Sequence, residues 1–492
     1  MPRPALLCIS QSFAPATTPT AIRAGALLAR LSEQWDVTVI TEAVQEPGTE
    51  AQRAAAGSGE PGPPTPLRVE VVASRRPARL LAAVRRLRLS KLLDLLVWPD
   101  ESIFWVLPAI RAARRVARER RPSAIVVFMM PYSAGLVGLA LRRLTKLPLI
   151  LNLDDSLTCT DMHPDFPSAL HYRLARGLED RYARTADATV YVSATNLEAV
   201  RARAPEPVRE RIELVRYGAD PARFGEPGAD AEVGSDSEAD SGSEVGGGLA
   251  AGDRFEVAYV GAMSGWWALI EQQSPPPGLA KRAYEGWNGL GRHELIALDP
   301  RTSSPAYLGR AMLGAIARHP DWRGWLELVL YGNPYPPEVV ERALAAAGVQ
   351  ELVTVHGPAP HEQMPGVLAR ADLLFITLPK RLDGSRGGRI SAKTYEYLMT
   401  DRPILAAVPR GENWDYLADK PGVWLVEPDD ERGMESVLLE LGQAKAAGAP
   451  RIFDRAALRE QLSYDTRARE LAAVIERGIA RHAGARPVGS RT

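Results

Sequence analysis

Short apolar runs rich in β-branched residues alternate along this chain with longer segments of helical period. Ala5–Ser10 is such a run, and Gln11 to Thr20 is a loop broken by Pro15 and Pro19. Ala21–Leu31 then places Ile22, Ala26 and Ala29 near one stripe, which Leu27, Leu28 and Leu31 widen. Asp36–Thr41 returns as a strand. The same rhythm predicts strands at Ser123–Met129, Leu149–Leu153, Ala188–Ser193 and Ile212–Tyr217, with helices at Ser133–Leu144, Leu170–Arg184 and Thr195–Arg203. Buried strands alternating with helices specify a parallel sheet covered on both faces.

The pattern stops at Gly225. From there to Asp253 the chain holds eight acidic residues, no basic ones, and many Gly, Ser and Ala. A stretch this polar buries too little surface to offset its ordering entropy, so it is expected to be a disordered linker. Its Gly246-Gly-Gly-Leu-Ala-Ala251 matches the dinucleotide fingerprint formally. It follows no strand and opens no periodic helix, so the match is compositional.

A second α/β series starts at Phe255–Gly261. Helices are expected at Ala306–Arg318, Pro337–Ala347, Glu362–Arg370 and Ala392–Thr400, with strands at Leu326–Tyr331, Leu352–Val355, Asp372–Leu378 and Ile404–Val408. Residues 262–298 have no clear period. The expected organisation is a domain over 1–224, the linker 225–253, a second domain over 254–450, and a C-terminal helix and tail over 451–492 that packs back on the first domain.

The 492-residue length suits two domains, and 46% apolar content suits sizeable cores. Sixty basic and sixty acidic residues cancel, which argues against a strongly basic nucleic-acid binder. Two cysteines, Cys8 and Cys159, supply neither a disulfide framework nor a four-cysteine zinc site. Ala5–Ile9 is too short for a signal-peptide core. Ala124 to Leu141 is uncharged, but Pro131-Tyr-Ser divides it into a strand, a turn and a buried helix rather than a membrane span. The expectation is a cytoplasmic protein. Residues 75–121 carry thirteen basic against four acidic residues, a bias suited to peripheral contact with anionic lipid at the inner membrane face. Lys91 breaks the apolar stripe of Leu80, Val84 and Leu87, and an ordinary charged helix face fits the same residues.

The most informative segment is Gly387-Gly-Arg-Ile-Ser-Ala-Lys-Thr-Tyr-Glu-Tyr-Leu-Met-Thr-Asp-Arg-Pro403. Gly387 and Gly388 let backbone approach a ligand closely. Ser391 is a good N-cap, and a helix start behind a glycine loop offers free N–H groups to a phosphate. Lys393 and Glu396, three apart, project from one side of the first turns. The cation there suits a diphosphate and the carboxylate suits ribose hydroxyls; a solvated Lys–Glu pair on an ordinary helix has the same spacing.

This segment resembles the nucleotide-sugar motif of GT-B glycosyltransferases, in particular the glycosyltransferase family 4-like group, with the pattern S-x-K-x-x-E-Y-L-x-x-x-x-P matched by Ser391, Lys393, Glu396, Tyr397, Leu398 and Pro403. Ser12-Phe-Ala-Pro15 with Ala21-Ile-Arg23 is similar to the group's opening loop and first helix. Leu151-Asn-Leu-Asp-Asp155 is similar to its aspartate-bearing strand end, Tyr217–Phe224 to the G-x-D-x-x-x-F signature closing the first domain, and Tyr259-Val-Gly261 to the strand opening the second. The matches follow the family order across nearly the whole chain.

The resemblance implies an α/β protein of GT-B type, with two Rossmann-like domains whose parallel sheets face across a cleft. It implies a hexosyltransferase that moves sugar from a nucleotide-sugar donor to a carbohydrate or lipid-linked acceptor, in the synthesis of a surface polysaccharide or glycolipid, with retention of configuration and neither metal nor other cofactor. Carried over by position, Asp154, Lys393 and Glu396 are the catalytic candidates. Gly261, Arg301, Gly387, Gly388, Arg389, Ser391, Lys393 and Glu396 would bind the donor, and Arg23 and Asp155 would face the acceptor. Two departures stand out. The first acid of the family's E-x7-E falls on Gly388, and the basic residues expected after the second domain's first strand are replaced by Arg301 or its rivals Lys281 and Arg282. A nucleotide-sugar epimerase of the same fold and a non-catalytic GT-B-like binding protein are the alternatives.

Overall fold

The computed structural model describes residues 3–16, 18–43, 67–77, 95–159, 161, 166–224, 254–261, 297–332, 337–357 and 363–484, with isolated residues among 81–86 and 278–287. The acidic stretch 225–253 with its glycine run, Lys281, Leu80, Leu87 and Lys91 lie outside the described residues. The chain divides into two compact units. One comprises Met1–Gly218, Pro277–Ile296 and Leu462–Thr492; the other comprises Ala219–Pro276 and Ala297–Gln461.

The first unit is built on seven parallel strands: β1 (Ala5–Ser10), β2 (Asp36–Glu42), β3 (Arg68–Val72), β4 (Ala124–Met129), β5 (Leu149–Leu153), β6 (Ala188–Tyr191) and β7 (Ile212–Leu214), in the order β3-β2-β1-β4-β5-β6-β7. The central strands are buried on both faces because they are largely apolar; all six residues of β4, Ala-Ile-Val-Val-Phe-Met, are buried. Each such side chain contributes about 1.5–3 kcal/mol when fully removed from water. Helices Ile103–Arg120, Ala134–Thr145 and Ala169–Thr185 bury their stripes on one face. Helix Pro19–Leu31 and the C-terminal helix Tyr464–Gly484 cover the other, through Leu27, Leu28, Leu471 and Ile475. The candidate membrane span thus divides into β4, a turn and helix Ala134–Thr145. Among the described residues, no helix is long and apolar enough to cross a membrane.

The second unit has six parallel strands: β8 (Phe255–Val260), β10 (Leu326–Tyr331), β11 (Val353–His356), β12 (Leu373–Thr377), β14 (Ile404–Ala407) and β15 (Val423–Val426), ordered β11-β10-β8-β12-β14-β15. The short strands β9 (Leu298–Asp299) and β13 (Lys380–Arg381) form a separate antiparallel pair. Helices Ala306–Arg318 and Glu431–Ala446 pack on the main sheet through Leu308, Met312, Met434 and Leu438. Arg455, almost fully buried, donates to the carbonyl oxygens of Thr400, Arg402, Pro421 and Gly422. Burial pulls its guanidinium down to about 10.

Candidate functional site

Sheet order says where a ligand belongs in each unit. In an open parallel sheet, a crevice forms at the carboxyl ends where the strand order reverses. In the second unit the first strand, β8, lies between β10 and β12, from which the chain proceeds in opposite directions. The reversal is therefore at β8, which ends in Val260-Gly261.

That strand end is closely packed. Gly261 has φ +146°, and a Cβ there would stand 2.2 Å from Lys393 Nζ. Gly332, following β10 with φ +159°, would carry a Cβ 2.0 Å from the Gly261 carbonyl oxygen. Only glycine fits either position. Lys393 rises from the first turn of helix Ala392–Tyr397, and its Nζ lies 3.3 Å from the Tyr259 hydroxyl. The helix is anchored by Tyr397, whose buried hydroxyl accepts from the Val260 amide at 3.0 Å. Burial drives that phenol well above its usual range.

Gly387 is tied to the end of β14. Its amide donates to the Arg410 carbonyl at 2.8 Å, and its own carbonyl accepts from the Glu412 amide at 3.0 Å. Gly388 is buried, and Arg389 and Ser391 are half-buried. Ser391 occupies the N-cap position, but its side chain makes no capping bond. Thr394 donates to Asn413 Oδ1 at 3.1 Å, and the buried Asn413 amide nitrogen has no partner among the described residues. Glu396 is half-buried beside this cluster. Burial raises its carboxyl above the ordinary value, while the positive charges of Arg223 and Lys393 oppose the rise. Arg301 holds Asp299 through Nε at 2.6 Å and Nη2 at 2.5 Å, so its guanidinium already has a carboxylate.

In the first unit, the reversal lies at β1 and β4. Arg23 and Asp154 pair at 3.0 Å with side-chain exposures of 1% and 6%. Arg23 also donates to Asn152 Oδ1 and the Val215 carbonyl, and Thr20 donates to Asp154 at 2.6 Å. Its guanidinium lies 5.1 Å from the Tyr217 ring centroid. Burial and then the Asp154 charge push the Tyr217 phenol well up. Arg23, expected on the acceptor side, and Asp154, expected to be catalytic, thus pair with one another inside the first unit and expose almost no surface. Asp155 is half-buried next to them.

Residues 20–218 match the family model described as Glycosyl transferase 4-like domain. This segment is similar to the glycosyl transferase 4-like domain. Among solved structures, the chain is similar to sucrose-phosphate synthase from Thermosynechococcus elongatus, with TM-score 0.59, 16% identity, and coverage of 97% of this chain and 100% of that one. It is similar to α,α-trehalose 6-phosphate synthase from Burkholderia multivorans, with TM-score 0.57, 16% identity and 100% coverage of both. It is also similar to Anabaena HepE, in complex with UDP and glucose, with TM-score 0.56, 14% identity, and coverage of 96% of this chain and 100% of that one. No curated protein matches the chain. The chain has the α/β fold of GT-B glycosyltransferases, two units each with a parallel sheet.

Outside the matched segment, the second unit contains neighbours of the site that were not among the candidate residues: Tyr259, Gly332, Arg223 and Asn413. Gly332 had a signal, since Leu-Tyr-Gly at the end of β10 repeats the strand-then-glycine pattern of Tyr259-Val-Gly261. Arg223 lies within the Tyr217–Phe224 signature, but its relation to Glu396, like that of Asn413 to Thr394, depends on tertiary packing.

Proposed function

We propose that this chain transfers a hexosyl group from a nucleotide-sugar donor to a hydroxyl of a carbohydrate or lipid-linked acceptor. The observation that carries the reading is the Lys393–Gly261 packing at the strand-order reversal of the second sheet. There a cation stands over a glycine backbone at the position where an open α/β sheet binds ligands. The diphosphate of the donor is the group that such a site suits. Negative charge develops on it as the glycosidic bond breaks, and a fixed ammonium stabilises that charge in the transition state. Lys393 supplies this positive charge from the protein itself, which supports a transfer without a metal ion. Glu396, kept half-buried next to Lys393, is the acceptor for ribose hydroxyls. Retention of configuration belongs to the same reading, through the family resemblance. The UDP and glucose bound by HepE, a protein of the same fold, support a nucleotide-sugar donor of that class.

The test is a thermal-shift screen of nucleoside diphosphates, followed by incubation with the matching nucleotide sugars. A ligand that binds only the folded protein raises its apparent stability. Selective stabilisation by one diphosphate and release of that diphosphate from its sugar are the expected results. A product still linked to the nucleotide identifies an epimerase, and a stabilising nucleotide with no turnover identifies a binding protein.

A further inference from the structure

At the carboxyl ends of β1, β2 and β3 in the first unit there is a cavity of about 190 Å³ lined by Gln11, Ser12, Phe13, Glu42 and Arg76. None of these residues belongs to the buried Arg23–Asp154 network or to the second unit's site. The volume is below the roughly 300–1,000 Å³ of pockets for drug-sized ligands, and suits a single ring.

The chemistry of the lining is specific. Glu42, at the end of β2, is 7% exposed, and its charge is met by Arg76 Nη2 at 2.9 Å. Gln11 Nε2 donates to the same oxygen, Oε2. Both bonds fall on one oxygen, so Oε1 has no partner among the described residues. Arg76 is similarly half-used: Nη2 is bonded, Nη1 has no partner among the described residues, and the buried Nε is unpaired. An acceptor and a donor therefore stand side by side with their charges already cancelled. Phe13, only 5% exposed, gives the cavity an apolar wall. A hydroxyl both donates and accepts. Two neighbouring hydroxyls on a ring satisfy Glu42 Oε1 and Arg76 Nη1 together. An anion would meet the Glu42 carboxylate, and a cation the Arg76 guanidinium.

We infer that this cavity binds a neutral polyhydroxylated ring, one pyranose unit of the acceptor. The inference rests on the transferase reading for the word acceptor, and on the cavity alone for the word pyranose. Glu42 and Arg76 are its recognition pair, and Gln11 holds Glu42 in place.

The experiment is saturation-transfer NMR and calorimetry of the full chain with a panel of methyl hexopyranosides and their 6-phosphates, alongside nucleoside-diphosphate titrations. At least one neutral pyranoside is expected to bind, and to bind at least about tenfold more weakly to Glu42→Gln and Arg76→Met, as loss of a hydrogen bond to a charged group predicts. Nucleoside-diphosphate affinity is expected to be unchanged in both variants, which also reports that they are folded; if Glu42→Gln does not fold, Arg76→Met decides. Pyranoside binding without nucleotide binding supports the cavity and removes the transferase reading. Nucleotide binding with no pyranoside binding, equal binding by the folded variants, or preference for the 6-phosphates overturns the inference.

Discussion

The ammonium of Lys393 lies 4.4 Å from the centre of the Tyr259 ring. An aromatic face attracts a cation, at about 0.5–2 kcal/mol depending on desolvation, without consuming its hydrogen-bond donors. The lysine is thereby held over Gly261 with donors left for a ligand. Lys393→Met should weaken nucleoside-diphosphate binding by about 1.5–3 kcal/mol, a tenfold to hundredfold loss, with little change in melting temperature. Calorimetric titration of the variant checks this. Unchanged affinity would remove the diphosphate from Lys393.

Gly261→Ala should have a related but larger effect. The new methyl group would displace Lys393 Nζ from 2.2 Å away, and the φ of +146° is one that alanine rarely adopts. The backbone strain should lower stability by about 1–3 kcal/mol, and nucleoside-diphosphate affinity should fall to the level of the lysine variant. A double variant with Lys393→Met should lose no further affinity, because both changes remove the same contact. Additive losses would mean that Gly261 and Lys393 act separately.

Glu396 makes stability depend on pH in a defined direction. Its carboxyl in the folded protein titrates above the ordinary value, chiefly through burial. Between the unfolded and folded values the native state holds the extra proton, so this group's contribution falls as pH rises through that window. Below the unfolded value the contribution is fully present. Glu396→Gln should therefore be more stable than the parent at neutral pH, with the difference shrinking as pH falls from the folded value to the unfolded one. It should also lose nucleotide affinity by about 1–3 kcal/mol if the carboxylate accepts ribose hydroxyls. Melting curves from pH 4 to 8, with nucleotide titrations at pH 7, check both parts.

Most of the fold was legible because the sheets are buried on both faces. The apolar runs of β1, β5 and β10 begin and end as their composition predicts, and so do helices Ala306–Arg318 and Pro337–Ala347. The edge strands were harder. β3, Arg-Val-Glu-Val-Val, carries exposed and half-buried residues and lacks an apolar run, and β15 is four residues of Val-Trp-Leu-Val. The helix after Ser391 ends at Tyr397 rather than Thr400, because Leu398 and Met399 turn into the core as the chain approaches β14. Lys393 and Glu396 could be read as a local pair. Arg23 and Asp154 could not, since they are 131 residues apart and only the fold reveals that each neutralises the other. An arginine on a predicted surface helix has the same sequence signature as one aimed at the core.

That buried pair yields the last prediction. Removing one member leaves a charge in the core with no counter-ion, a change that costs about 3–5 kcal/mol. Arg23→Met should therefore lower the melting temperature sharply, since it leaves Asp154 to the neutral hydroxyls of Thr20 and Tyr217. Arg23→Met combined with Asp154→Leu should recover part of the loss, because an apolar pair removes the stranded charge as well as the salt bridge. A group that contacts substrate would behave differently: its removal would reduce substrate affinity while leaving the melting curve near that of the parent, and the second substitution would rescue nothing. Scanning calorimetry of the three variants, with nucleoside-diphosphate titrations on each that remains folded, separates these outcomes. Partial thermal recovery in the double variant, with nucleotide affinity equal to the parent's, assigns the pair to the core of the first unit.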